Sequence, residues 1–136
     1  MIDLEARRAA TKLTMDKYRN RPFDWRNRST CIHLARTQLR NLGHRPPPIP
    51  SFRSALGARR ALATAGFASI PALLDSFLER IPPAAMLVGD LAATEGDDGF
   101  EGIVVCAGAK MLGWNEVDPS GLRNLIVSEF VGAWRA

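Results

Sequence analysis

Thiols and imidazoles are scarce in this chain, which holds two cysteines and two histidines in 136 residues. Two thiols cannot build the framework of bridges that staples a small secreted domain, so Cys31 and Cys106 are expected to be reduced. Neither His33 nor His44 has the Cys, Asp or Glu neighbours whose spacing marks a metal site, so both are expected at the surface, with no metal and no cofactor. Long apolar runs are missing too. Nothing approaches the roughly 20 residues that span a bilayer. The opening Ile2-Asp3-Leu4-Glu5-Ala6-Arg7-Arg8 lacks the apolar stretch of a signal peptide. These absences predict a chain made and folded in a cytoplasm, with no membrane partner.

What is present fits one globular domain over residues 1–136, with 46% apolar and 24% charged residues. The net charge of +4 hides a strong asymmetry. Residues 1–60 carry 14 Arg or Lys against 4 acids, whereas residues 61–136 carry 4 against 10. Such a split suits either an acidic protein partner or a nucleic acid. The stronger reading is a solvated helical face, or one end of the domain neutralising the other; with no compact lysine cluster and no nucleic-acid motif, any partner the charge steers is expected to be protein.

Ile2, Ala6, Ala9 and Leu13 recur at helical spacing and predict an amphipathic helix over residues 3–18, with Arg7 on another face. A second helix starts from Ser29 or Thr30, both good N-caps, and runs to Gly43, burying Ile32, Ala35, Leu39 and Leu42. Four prolines between Arg45 and Pro50 hold an extended connection. A third helix is predicted over 53–65, and Ile70, Leu73, Leu74, Phe77, Leu78 and Ile81 predict a fourth that Pro82-Pro83 stops. Beyond residue 84 the pattern changes to short strands: 91–94, 103–106, 110–114, 122–127 and 131–135, with turns at Gly89-Asp90 and Gly108 and a hairpin loop over 95–99. A helical half (1–83) followed by a β-meander (84–136) makes an α+β domain with an antiparallel sheet. Cys106, in an apolar run, belongs to the core. Asp90 is expected to make a turn hydrogen bond, and Trp25, Trp114 and Trp134 to pack in the core or on the sheet.

Cys31 stands in the first turn of the second helix, where the positive end of the dipole is expected to lower a thiol pKa. Its neighbour His33 lies two residues on, so the two side chains diverge by roughly 200° around the helix. A cysteine at a helix start, the aromatic entry Pro22-Phe23-Asp24-Trp25, then Gly89-Asp90-Leu91 and a Gly102-Ile103 strand resemble the NlpC-type branch of papain-like cysteine peptidases. The chain is similar in particular to small members encoded in phage and prophage tail regions. The resemblance implies a papain-like fold with Cys31 at the nucleophile position. It also places the catalytic histidine two residues before the glycine-isoleucine pair, where this chain has Phe100. The third polar residue falls near Gly113, with Asn115 close by, and Arg26 and Thr30 replace the usual glycine and aspartate.

Acyl transfer by a thiol needs a base to form the thiolate and protonate the leaving amine, and phenylalanine does neither. The implied function is therefore structural, with Cys31 expected as a small, half-buried core residue kept for packing. The resemblance points to a minor tail protein of a phage tail tip or baseplate, residing in the virion and docking other tail proteins, with no small-molecule substrate. Its docking surface is expected at the proline segment or a sheet edge, because a cleft without its base has no chemical reason to stay open. The alternatives are a peptidoglycan amidase or endopeptidase with Cys31 as nucleophile and a base from His44 or a partner chain, or a DNA-contacting connector using the basic half.

Overall fold

The computed structural model describes residues 3–96 and 101–136. Helix α1 (Leu4–Tyr18) begins where the Asp3 carboxylate accepts the Ala6 N–H, α2 (Cys31–Asn41) follows Thr30, α3 (Ala55–Thr64) follows Ser54, and α4 (Ile70–Asp75) follows Ser69 with Pro71 in its first turn. Each start is a side-chain oxygen satisfying a backbone donor that the helix itself leaves unpaired. The strands are β1 (Glu79–Ile81), β2 (Leu91–Thr94), β3 (Gly102–Cys106), β4 (Met111–Gly113), β5 (Arg123–Leu125) and β6 (Gly132–Arg135), paired in the order β1-β6-β2-β3-β4-β5. All pairings are antiparallel. The domain is α+β, with helices leading and an antiparallel sheet following. Among the described residues, no helix is long and apolar enough to cross a membrane.

Three expectations about the later elements are corrected. The helical periodicity of residues 70–81 ends at Asp75, and Glu79–Ile81 instead lies antiparallel to Ala133–Arg135. Pairing with the C-terminal strand satisfies the backbone there, so tertiary context overrides the local pattern. The division at residue 83 therefore fails, because β1 from the helical half completes the sheet. The strands are not a simple meander either. Residues 91–125 run as successive hairpins, and β6 then returns to lie between β1 and β2.

The buried face of α1 is also not the predicted one. Ala6, Ala9 and Leu13 face solvent, whereas Arg7, Ala10, Thr11, Thr14 and Tyr18 are buried. Ile2 lies outside the described residues. Apolar content chose the wrong stripe because this helix docks through hydrogen bonds. Gln38 of α2 accepts from Thr14 Oγ1 at 2.6 Å and donates to Thr11 Oγ1 at 3.1 Å and to the Gly89 carbonyl at 3.2 Å. Gly89 sits at φ +94°, and a Cβ there would lie 3.2 Å from both Gln38 Nε2 and Thr11 Oγ1. Only glycine satisfies both the backbone and the space.

The main core lies between the helices and one sheet face, where Leu34, Leu39, Ile70, Leu74, Val105 and Trp134 interlock. A smaller cluster, including Cys106 and Met111, covers the other face. Cys106 is buried as expected. The proline segment is not a free rod. Its Pro47 carbonyl accepts Arg36 Nε at 3.0 Å, and its prolines close one wall of an apolar cavity of about 280 Å³ against α2, α3 and α4.

Candidate functional site

Helix α2 starts at Cys31 because Thr30, in extended conformation, offers Oγ1 to the N–H groups of Ile32 and His33 at 3.2 and 3.5 Å. The threonine does the work of a capping carboxylate without adding a negative charge beside the thiol. Cys31 is half-buried and packs against the strand face of the core. Burial pushes its thiol above the ordinary 9.0, and contacts with the Ile103, Cys31 and Ile32 backbone oppose that shift without reversing it. The expected thiolate is therefore not favoured. The dipole acts, but desolvation of the anion outweighs it.

His33 is buried rather than at the surface, which corrects the sequence expectation. Its Nδ1 lies 2.9 Å from Thr30 Oγ1, and its ring packs 5.5 Å from that of Phe52. Burial, followed by the charges of Arg28, Lys17 and Arg36, pushes its pKa down to about 4. It is neutral at pH 7 and occupied by its own helix cap. His44 is exposed, as expected, but lies beyond the far end of α2. Eleven helical residues at 1.5 Å each set it roughly 16 Å from the Cys31 end. It cannot fold back as a base without unwinding α2.

The remaining positions implied by the resemblance divide. Gly113 is buried in β4, where a Cβ would meet Leu125 Cδ1 and Val104 Cγ1 at 3.0 Å, so no polar side chain fits there. Asn115 lines the same groove as Cys31, with its Oδ1 accepting the Val117 N–H at 2.8 Å. Phe100 lies outside the described residues, as does part of the 95–99 loop. Among the described residues no histidine shares the groove with Cys31, and no group of three or more His, Cys, Asp or Glu stands close enough to hold a metal ion.

The groove beside Cys31 is open, with a volume of about 670 Å³. Among the described residues this runs against the expectation that a cleft without its base would close; Phe100, the expected filler, lies outside them. Phe23 anchors its wall, set edge-on to Trp25 with centroids 5.2 Å apart and to Trp114 at 5.5 Å. Trp114 Nε1 donates to the Arg21 carbonyl at 2.9 Å, and the Phe23 N–H donates to the Pro119 carbonyl at 3.0 Å. Trp25 and Trp114 are half-buried wall residues, Trp114 packing against the main core next to β4 as expected, whereas Trp134 is fully buried and donates to Asp75 Oδ1 at 2.8 Å.

Sequence reasoning found the turn at Asp90 but missed its main role. Asp90 Oδ2 accepts the Leu87 N–H at 2.8 Å, which is the expected turn bond. Oδ1 also accepts from Arg7 Nη2 and from the Ala136 N–H, and Arg135 Nη1 stands 3.1 Å from Oδ2. Arg7, itself buried, further donates Nε to the Val88 carbonyl at 2.7 Å and Nη1 to the Ala136 carbonyl at 2.8 Å. This hub ties the first helix to the last strand and lies outside the groove. An arginine within an alanine-rich helix was the available signal, but it does not identify a partner 83 residues away.

The arrangement defines a small α+β domain whose capped cysteine helix packs on an antiparallel sheet beside an aromatic groove. The chain belongs to the family described as a domain of unknown function, DUF6950, which it matches over residues 3–136. No curated protein matches it.

Proposed function

We propose that this domain is a structural, protein-docking component of a bacteriophage tail tip or baseplate, built on a papain-like scaffold without working catalytic groups. Cys31 is the observation that carries the non-catalytic part. Its thiol is held protonated by burial, no histidine among the described residues reaches it, and Phe100 fills the position where the resembled peptidases have their base. A protonated thiol without a base cannot attack an amide and release an amine. The papain-like part is supported by the placement of Cys31 at the start of α2, packed on a core that includes β3, with an open groove alongside. The tail assignment is supported by the resemblance of the Cys31, Gly89-Asp90-Leu91 and Gly102-Ile103 segments to phage tail-region proteins. Its partners are other tail proteins, and its location is the virion.

One experiment tests both parts. Purified virions are searched by mass spectrometry for this chain, and the isolated protein is incubated with peptidoglycan alongside Cys31→Ala. The chain should be found in tails, with no hydrolysis by either protein. Hydrolysis that disappears in Cys31→Ala would replace this reading with the amidase or endopeptidase one.

A further inference from the structure

The groove beside Cys31 is lined by Glu95, Glu101, Glu116 and Glu129, and by no Lys or Arg among the described residues. Most of the lining belongs to residues 61–136, where acids outnumber bases 10 to 4, so the groove concentrates the acidic side of the charge split although the chain's net charge is +4. Asp16, Asp75, Asp90 and Asp118 each stand beside a lysine or arginine. None of the four groove glutamates has an ion-pair or hydrogen-bond partner among the described residues. Like charges along one groove repel each other, and a cation placed between them relieves that repulsion. The half-buried Trp25 and Trp114 line the same groove, and aromatic rings attract cations. Ile126, which is 92% exposed, gives the groove an unburied apolar contact.

We propose that this groove holds an extended, arginine- or lysine-bearing segment of a partner protein. The proposal rests on the docking reading and names the chemistry of the docked segment. A volume of about 670 Å³ matches a few residues of peptide rather than a folded face. The adjoining β5 is the terminal strand of the sheet, and an edge strand suits an extended occupant. The charge on the groove selects a basic segment over an acidic or neutral one.

The test uses the full chain carrying Cys31→Ala, so that binding is read independently of any hydrolysis. Fluorescein-labelled peptides of three Arg-Pro, Glu-Pro or Gln-Pro repeats are titrated by fluorescence anisotropy at low salt. The Arg-Pro peptide should bind at least tenfold more tightly than the other two. Each Glu→Gln change in the groove should weaken it by about two- to fivefold, as an exposed ion pair does. Changing all four should abolish the preference, while circular dichroism and Tm stay unchanged. Ile126→Ser should also weaken binding, whereas Glu5→Gln with Glu79→Gln should not. If the preference is absent, or survives the fourfold change, the proposal fails even where virion incorporation upholds the docking reading. Sedimentation velocity then locates the segment. Self-association lost in the fourfold variant assigns it to a second copy of this chain, and a monomer that binds the peptide assigns it to a different partner.

Discussion

The reactivity of Cys31 separates a disarmed fold from a working one most directly. The perturbation is pH, and the readout is the alkylation rate of this thiol by iodoacetamide, followed by peptide mass spectrometry so that buried Cys106 is scored separately. A thiol at its ordinary pKa is only a few per cent thiolate at pH 7. Burial holds Cys31 above the ordinary 9.0, so the reactive fraction at neutral pH is smaller still. Its rate should then climb about tenfold per pH unit and continue rising past pH 9, because each unit below a pKa removes nine-tenths of the anion. A peptidase cysteine paired with an imidazolium behaves differently, its thiolate being formed below pH 7 and its rate flat above that. His33 cannot supply that pairing while it caps α2 through Thr30. A plateau beginning near pH 6 or 7 would refute the reasoning, because it requires a nearby cation that the described residues do not place at the sulfur.

Further outcomes follow from the same geometry. Asp90→Ala leaves the buried guanidinium of Arg7 without its carboxylate and removes the acceptor of the Leu87 and Ala136 N–H groups, so unfolding in denaturant should show a loss of about 3–5 kcal/mol. A loss below about 1 kcal/mol would mean that the hub does not hold the first helix to the last strand. His33 is depressed to about 4 in the fold, so the unfolded chain binds the extra proton between that value and 6.5. Its contribution is complete above pH 6.5 and is lost as pH falls towards 4, by roughly 3 kcal/mol in all; His33→Gln should flatten that part of the stability profile. Gly89→Ala combines a strained φ of +94° with contacts of 3.2 Å and should lower Tm by several degrees, which differential scanning calorimetry would register.

How far the sequence could be read depended on which force set each element. The start of α2 was legible because Thr30 acts locally, capping donors within three residues, whereas the equally local caps Ser54 and Ser69 went unread. The strands at 91–94 and 103–106 were legible because two-sided burial writes a continuous apolar run. The strand at 79–81 was not, since its pairing partner lies more than 50 residues away and its own apolar spacing continues that of α4. The orientation of α1 was illegible for a related reason. Its buried face is held by Arg7, Thr11 and Thr14, whose acceptors and donors come from α2, the 88–90 turn and the C-terminus. Hydrophobic periodicity carries no information about buried polar contacts. At the site, Cys31 was placed correctly on its helix, but the direction of its pKa was not, because the dipole is a property of sequence position and desolvation is a property of packing.

The open groove shows the same distinction from the other side. A cleft was expected to close without its catalytic base, on the assumption that chemistry keeps it open. The structure places its support elsewhere. Tyr18 meets Trp114 at 5.5 Å, Trp114 meets Phe23, Phe23 meets Trp25, and Trp25 meets Phe52 at 6.0 Å, forming an edge-to-face chain from the end of α1 to the segment before α3. Each such pair contributes about 0.5–1.5 kcal/mol beyond its buried area. Two hydrogen bonds, from Trp114 to Arg21 and from Phe23 to Pro119, pin the entry segment to the sheet. None of these contacts involves the side chain of Cys31 or any position assigned to a base. The wall is thus a packing feature with its own stability, and it stands without any catalytic base. Such a groove is available for binding whether or not Cys31 works as a nucleophile, and the glutamates along it, unpaired among the described residues, bias what it binds.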